Sequence, residues 1–253
     1  MAKTIAVVSQ KGGVGKTTTA VNLTASIAAL EARALLVGID PQCGVKASFG
    51  IGKRDLITGV YDILFLERPV LEAIVNTEIK FLDVIASNVY TLDEEENLRE
   101  VVKKDKFKLK KKLAELDKYY DFIILDCPPS LGPLTISSMI AASSILVPVQ
   151  GEYYSKESLG RLLKTALEIA NKYNPSLHIE GVLLTMVDFR TNLGKKIAED
   201  IKDTMGDKVF STIIPRTVRL AEAPMIKKPA ILTNIRSRGA QAYLSLALEL
   251  MSK

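Results

Sequence analysis

The chain has 253 residues, 47% of them apolar, enough to bury a sizeable core without disulfides or a structural metal. Its two cysteines, Cys43 and Cys127, lack the paired spacing of a zinc or redox motif and read as plain thiols of a reducing cytosol. No charged-then-apolar leader opens the sequence and no apolar run nears a membrane span, so a cytoplasmic protein is expected; a formal charge of +5 suits a polyanionic partner only if the basic residues share a face.

The run at 4–9 is short and β-branched, and 17–30 reads as an alanine-rich helix. A second buried strand is expected at 34–40, then one or two short helices, then a strand at 81–86. Residues 92–116 are highly charged and helical in composition. Strands at 121–127 and 144–149 enclose a helix at 134–142. An amphipathic helix at 155–173, a strand at 179–187, a helix at 192–205, a strand at 209–214 and a helix at 239–251 complete the chain. Near-continuous apolar strands alternating with helices predict an α/β fold: a mostly parallel, twisted sheet with helices on both faces. No repeat, linker or composition shift marks a boundary, so one domain over 1–253 is expected. Ligands of such sheets sit at the carboxyl ends of the strands, where Ser9, Asp40, Asp126 and 186–188 should gather.

The first strand runs into Gly12, Gly13, Val14 and Gly15 and then into a helix opened by Lys16, Thr17 and Thr18. Glycines let backbone N–H groups curl inward, and the helix start adds partial positive charge, which suits phosphate. Lys16 can reach the β- and γ-phosphates of ATP, and the Thr17 hydroxyl can bind Mg2+. Asp40 ends the second strand in Ile-Asp-Pro-Gln, and Asp126 ends an apolar strand in Leu-Asp-Cys-Pro-Pro. A strand-end aspartate is often a turn former, but two of them in a P-loop chain favour metal and water chemistry.

The glycine expected at the start of the Walker motif is Gln10, and a second lysine, Lys11, precedes the glycines. This Lys-Gly-Gly-x-Gly-Lys-Thr form resembles the deviant Walker A motif of the ParA/Soj/MinD group of ATPases. The resemblance covers nearly the whole chain and is carried also by 147–154 (VPVQGEYY), 180–186 (EGVLLTM), 190–193 (RTNL), 214–224 (IPRTVRLAEAP) and 237–243 (SRGAQAY), which look like the chromosomal ParA (Soj) branch. It implies that Lys11 crosses a homodimer interface to the partner's nucleotide, that Asp40 orients the attacking water and that Asp126 supports the metal. It also implies that Met186, Pro215 and Thr217 lie against base or ribose. Relatives follow Asp-Pro-Gln with Gly-Asn-Ala-Thr, whereas this chain has Cys43, Gly44, Val45 and Lys46, so the departure falls on the switch loop and leaves Asp40 in place.

The same resemblance assigns non-specific double-stranded DNA contacts to Arg190 and Arg219, with Arg216, Lys195, Lys196 and Arg236 as additions to the patch. It implies an ATP-dependent dimer on the nucleoid, weak intrinsic ATP hydrolysis stimulated by a ParB (Spo0J)-like protein, and a role in chromosome or plasmid segregation. In and just after the basic run at 103–112, Phe107, Leu109 and Leu113 recur at helix spacing with Glu94–Glu96 nearby, so the run reads as a solvated helix face. No DNA-reading extension precedes the P-loop, so operator binding is not expected. The rivals are a MinD-like membrane-surface ATPase, which would need a basic amphipathic helix where 240–250 is apolar, an iron protein needing two free cysteines, and an ATP-dependent synthetase needing a substrate pocket.

Overall fold

The computed structural model describes residues 1–52, 55–150, 155–187 and 191–252. Among these residues seven strands form one sheet: β1 (Lys3–Val7), β2 (Ala34–Gly38), β3 (Val75–Asn76), β4 (Leu82–Ile85), β5 (Phe122–Asp126), β6 (Ser144–Gln150) and β7 (His178–Thr185). Their order is β3-β4-β2-β5-β1-β6-β7, parallel apart from the β3–β4 pairing at one edge. The expected α/β class with its mostly parallel sheet is therefore what the chain forms.

Helices cover both faces. One face carries α1 (Lys16–Ala29), α2 (Gly44–Ser48), α9 (Val218–Ile226), α10 (Ala230–Thr233) and α11 (Arg238–Met251). The other carries α3 (Val60–Leu64), α4 (Leu92–Lys104), α5 (Lys108–Ala114), α6 (Pro133–Ala141), α7 (Ser155–Lys172) and α8 (Asn192–Met205). The period-2 alternation of strands divides the core accordingly. Ile5 and Val7 of β1 pack with Leu23 and Ile27 of α1, while Ala6 and Val8 pack on the side of Leu134 and Met139 of α6. Full burial of one such leucine or isoleucine contributes about 1.5–3 kcal/mol, which is why these strands read as unbroken apolar runs. In β7 the ring of Phe210 fills the place a side chain would take at Gly181, 2.4 Å from an added Cβ, so Gly181→Ala would force the ring out.

Three details differ from the sequence expectation. The 92–116 helix is two helices. Asp105 leaves the helix at φ −122° and its carboxylate accepts the Phe107 N–H at 3.0 Å, a local bond that competes with the helical one. Residues 209–214 are not a continuous strand: single bridges tie Val209 to Val182 and Ile214 to Thr185. Between them the N–H groups of Ser211 and Thr212 donate to the Glu249 carboxylate of α11 at 2.7 and 3.0 Å rather than to β7. Helices α9 and α10 lie where no element is predicted, because Pro224 inside α9 hides the helical pattern.

The strand register sets up the site. Val7, Asp126 and Gly38 are neighbours across β1, β5 and β2, so the loops leaving those strands emerge side by side.

Candidate functional site

The loop after β1 reaches α1 through Gly13 and Gly15, at φ +77° and +88°, a conformation costly to any residue with a side chain. An added Cβ at Gly12 or Gly13 would meet no atom of the described residues within 4 Å, so no packing demand among them explains glycine there. What remains is the curl of backbone N–H groups toward open space at the positive end of α1. The loop is held from below: Val14 is buried, and the Thr185 hydroxyl of β7 donates to its carbonyl at 2.9 Å.

Lys16 turns back into this loop, where its ammonium donates to the Lys11 carbonyl at 3.1 Å. Burial lowers the Lys16 pKa, and Asp126 and Asp40 act in the opposite sense, so both carboxylates converge on this ammonium. Asp126 ends β5 fully buried, and neither of its oxygens has a hydrogen-bond partner among the described residues. Burial pushes its pKa up to about 7; the neighbouring Thr17 hydroxyl pulls it down in part, without a bond of good geometry. An orphaned buried carboxyl is costly, and its place beside Thr17 and Lys16 fits a hard cation or its bound water. Thr17 and Asp126 are thus the donors that suit Mg2+. No cluster of three or more His, Cys, Asp or Glu ligands occurs among the described residues.

Asp40 lies just past β2, half-buried, with its backbone N–H donating to the Asp126 carbonyl at 3.2 Å. Its carboxylate accepts the Gln42 N–H at 3.0 Å, and its carbonyl accepts the Cys43 N–H at 3.1 Å, closing a tight turn. Beside it opens a cleft of about 510 Å³ between Asp40, Pro128 and Pro129, walled by Glu95 and Arg99 of α4.

Met186, at φ +52°, follows β7 and bonds through its N–H to the Ile214 carbonyl at 2.8 Å. That bond brings Pro215 and Thr217 to the same edge, and the Met186 methyl lies 4.0 Å from where a Cβ of Gly15 would stand. Lys11 to Thr18, Asp40, Asp126, Met186, Pro215 and Thr217 therefore gather at one end of the sheet. Thr217 caps α9 by accepting the Leu220 N–H at 3.3 Å, and Arg216 and Arg219 are exposed at that helix start. Lys195, Lys196 and Arg236 are also exposed. Arg190 and Asp188 lie outside the described residues. The basic run at 103–112 is engaged locally: Lys111 pairs with Asp105 at 2.8 Å, and Lys108 and Lys112 pair with Glu67.

Sequence reasoning missed several supports of the site. Thr185 falls in the 180–186 block, but nothing in that block shows its bond to Val14. Gly44 abuts Thr17 so closely that a Cβ would lie 2.9 Å from the threonine methyl, a contact visible only in three dimensions. Glu95 and Arg99 are hidden in a helix that reads as solvated.

A family model described as an AAA domain matches residues 2–179. The chain is 48% identical over 249 residues to the sporulation initiation inhibitor protein Soj of Bacillus subtilis, covering 98% of each. It is 44% identical over 252 residues to the chromosome partitioning protein ParA of Myxococcus xanthus, covering 98% of this chain and 88% of that one. It belongs to the ParA/Soj family of partitioning ATPases. Among solved structures, cobyrinic acid a,c-diamide synthase of Mycobacterium smegmatis, bound to an ATP analogue and magnesium, superposes with a TM-score of 0.84 at 31% identity, over 99% of this chain and 95% of that one. Within a ParA/Soj chain, the departure at Cys43 to Lys46 is now placed: it forms the start of α2, wedged between Asp40 and Thr17.

Proposed function

We propose that this chain is an ATP-driven DNA-partitioning switch. The N–H groups of the 12–18 loop and the Lys16 ammonium take the phosphates of ATP, while Met186, Pro215 and Thr217 flank the base and ribose. Thr17 and, through water, Asp126 and Asp40 hold Mg2+. The metal supplies neutralisation of charge on the transferring phosphoryl group. Asp40 orients and polarises the attacking water, and because the reaction depends on positioning, its loss slows turnover more than binding. The observation that carries this reading is the buried, unpartnered Asp126 carboxyl beside Lys16 and Thr17.

Lys11 sits in the loop at the same edge and reaches the phosphates of a second subunit, so ATP closes a homodimer. Arg190 and Arg219 then meet DNA phosphates without sequence preference. Support for Arg219 is electrostatic: cations at the start of α9 oppose the helix dipole, so Arg216 and Arg219 gain little from their own helix and suit an external anion. Two joined patches give the dimer an avidity that one subunit lacks. Hydrolysis, weak alone and stimulated by a ParB/Spo0J-like protein, returns the monomer and frees the DNA. The protein acts in the cytoplasm on the nucleoid; no described helix is long and apolar enough to cross a membrane. The synthase neighbour shares the scaffold, but the higher identity to Soj and ParA along nearly the full chain favours partitioning.

A DNA-mobility assay with ATP and with ADP, run beside a liposome float, tests this reading. ATP-dependent, salt-sensitive DNA retention is expected, lost in Arg219→Glu with nucleotide binding spared. Flotation with lipid and no DNA retention would point instead to a MinD-like surface ATPase.

A further inference from the structure

Cys43 stands three residues after Asp40 at φ +57° and ψ +28°, the left-handed region that costs any residue with a Cβ and that glycine takes freely. A side chain in this conformation needs a compensation. The structure holds one. The sulfur lies 3.2 Å from the Pro41 carbonyl oxygen, 3.5 Å from that of Ser87 and 3.6 Å from that of Val89. One S–H proton is offered to three acceptors, two of them in the loop that follows β4 (Leu82–Ile85). The same turn fixes Asp40 twice, through Cys43 N–H to its carbonyl and Gln42 N–H to its carboxylate.

The rest of the departing segment is braced to the same places. Gly44 presses on Thr17 with no room for a Cβ, and Gly38 leaves only 3.0 Å between its missing Cβ and that of Val45. The Lys46 ammonium lies 4.5 Å from the centre of the Tyr90 ring, next to Thr91, the N-cap of α4. The switch loop is thus pinned on one side to the metal-binding threonine and on the other to residues 87–90.

We propose that Cys43 is a positioning residue for hydrolysis: its thiol, clamped on the 87–89 carbonyls, sets where the Asp40 carboxylate stands relative to the phosphates. A left-handed glycine could make the same turn, but it would lack the sulfur's contacts with the Ser87 and Val89 carbonyls and leave Lys46 on Tyr90 to hold the segment to the β4 loop. This inference rests on the reading of Asp40 as the group that orients the attacking water.

The test compares steady-state ATP hydrolysis by the full-length protein and its Cys43→Ala, Cys43→Gly and Cys43→Ser variants, with Asp40→Ala as reference. Cys43→Gly keeps the left-handed turn free of strain, so it folds even if Cys43→Ala does not. Loss of the sulfur should lower kcat about tenfold in the Ala and Gly variants while KM stays within about twofold, the signature of a misplaced group rather than a lost binding contact. Cys43→Ser retains a donor for the same carbonyls and should recover kcat to within about threefold of the parent. A parental kcat in Cys43→Gly, or a Cys43→Ser variant as slow as Cys43→Gly, would overturn the clamp. Undiminished hydrolysis by Asp40→Ala would overturn the reading of Asp40 itself, and the clamp with it.

Discussion

The two ends of the same sheet are built on opposite rules. At the amino ends of the strands, charged groups are paired, whether buried like Glu180 or exposed like Arg33 and Asp121. Lys3 meets Glu180 at 2.9 Å, the Ser144 hydroxyl donates to Glu180 at 2.7 Å, Arg33 meets Asp121 at 2.8 Å, and Tyr120 donates to Asp83 at 2.8 Å. At the carboxyl ends, Asp126 is buried with no partner among the described residues; positive φ does not separate the ends, since Gly13, Gly15, Cys43 and Met186 have it here and Glu31 and Phe81 have it at the amino ends. A buried carboxyl without a partner persists where something other than stability retains it. The amino end holds the sheet together, and the carboxyl end is held open for a ligand.

Substitutions at the two ends should therefore fail differently. The largest effect belongs to Asp40→Ala, expected to lower ATP turnover by about 100-fold or more with nucleotide binding little changed, measured by phosphate release and calorimetry. Equal losses of binding and turnover would blur the distinction between a cradle and a water-orienting group.

At the other end, Glu180→Ala leaves Lys3 without its partner and should cost about 2–4 kcal/mol in denaturant unfolding, with turnover per folded molecule unchanged. The pH dependences of the two acids should also oppose each other. Burial pushes the Glu180 carboxyl up, but Lys3 and Ser144 outweigh it and hold the pKa below the ordinary value, so its contribution is present at neutral pH and lost as pH falls. Asp126 is raised to about 7, so without metal the folded state keeps a proton the unfolded chain has released, and stability falls as pH rises from about 4 to about 7. Asp126→Asn should hence melt higher than the parent at pH 8 without magnesium, with the gap closing toward pH 4, while losing hydrolysis. An Asn variant that melts lower at pH 8 would contradict the assignment of Asp126 as an unsatisfied site.

The smallest effect is expected of Thr185→Val, which leaves the buried Val14 carbonyl unpaired. It should cost about 1–2 kcal/mol of stability and a few-fold in ATP affinity, read by thermal melts and titration.

Much of the site was legible in the sequence because its chemistry is local in the chain. Gly12 to Thr18 is one contiguous loop, and Asp40 and Asp126 each end a run of apolar residues that can only be a buried strand. The order of helices and strands followed from the same periodicity. What was not legible depends on contacts between distant segments. The 211–212 amides turned to Glu249, 37 residues or more away, and so gave up the strand expected at 209–214. Thr185 reached Val14 across 171 residues of sequence. Cys43 looked like a spare thiol because neither its left-handed backbone nor the carbonyls of Ser87 and Val89 can be read from its neighbours.

The central claim is that the nucleotide at the carboxyl end governs attachment to DNA. Its most direct test is the size and DNA retention of Asp40→Ala with ATP and with ADP, measured by light scattering and a DNA-mobility assay. A dimer that stays on DNA with ATP, and a monomer that does not with ADP, is the predicted result. A monomer in both states, or DNA binding indifferent to the nucleotide, would contradict it.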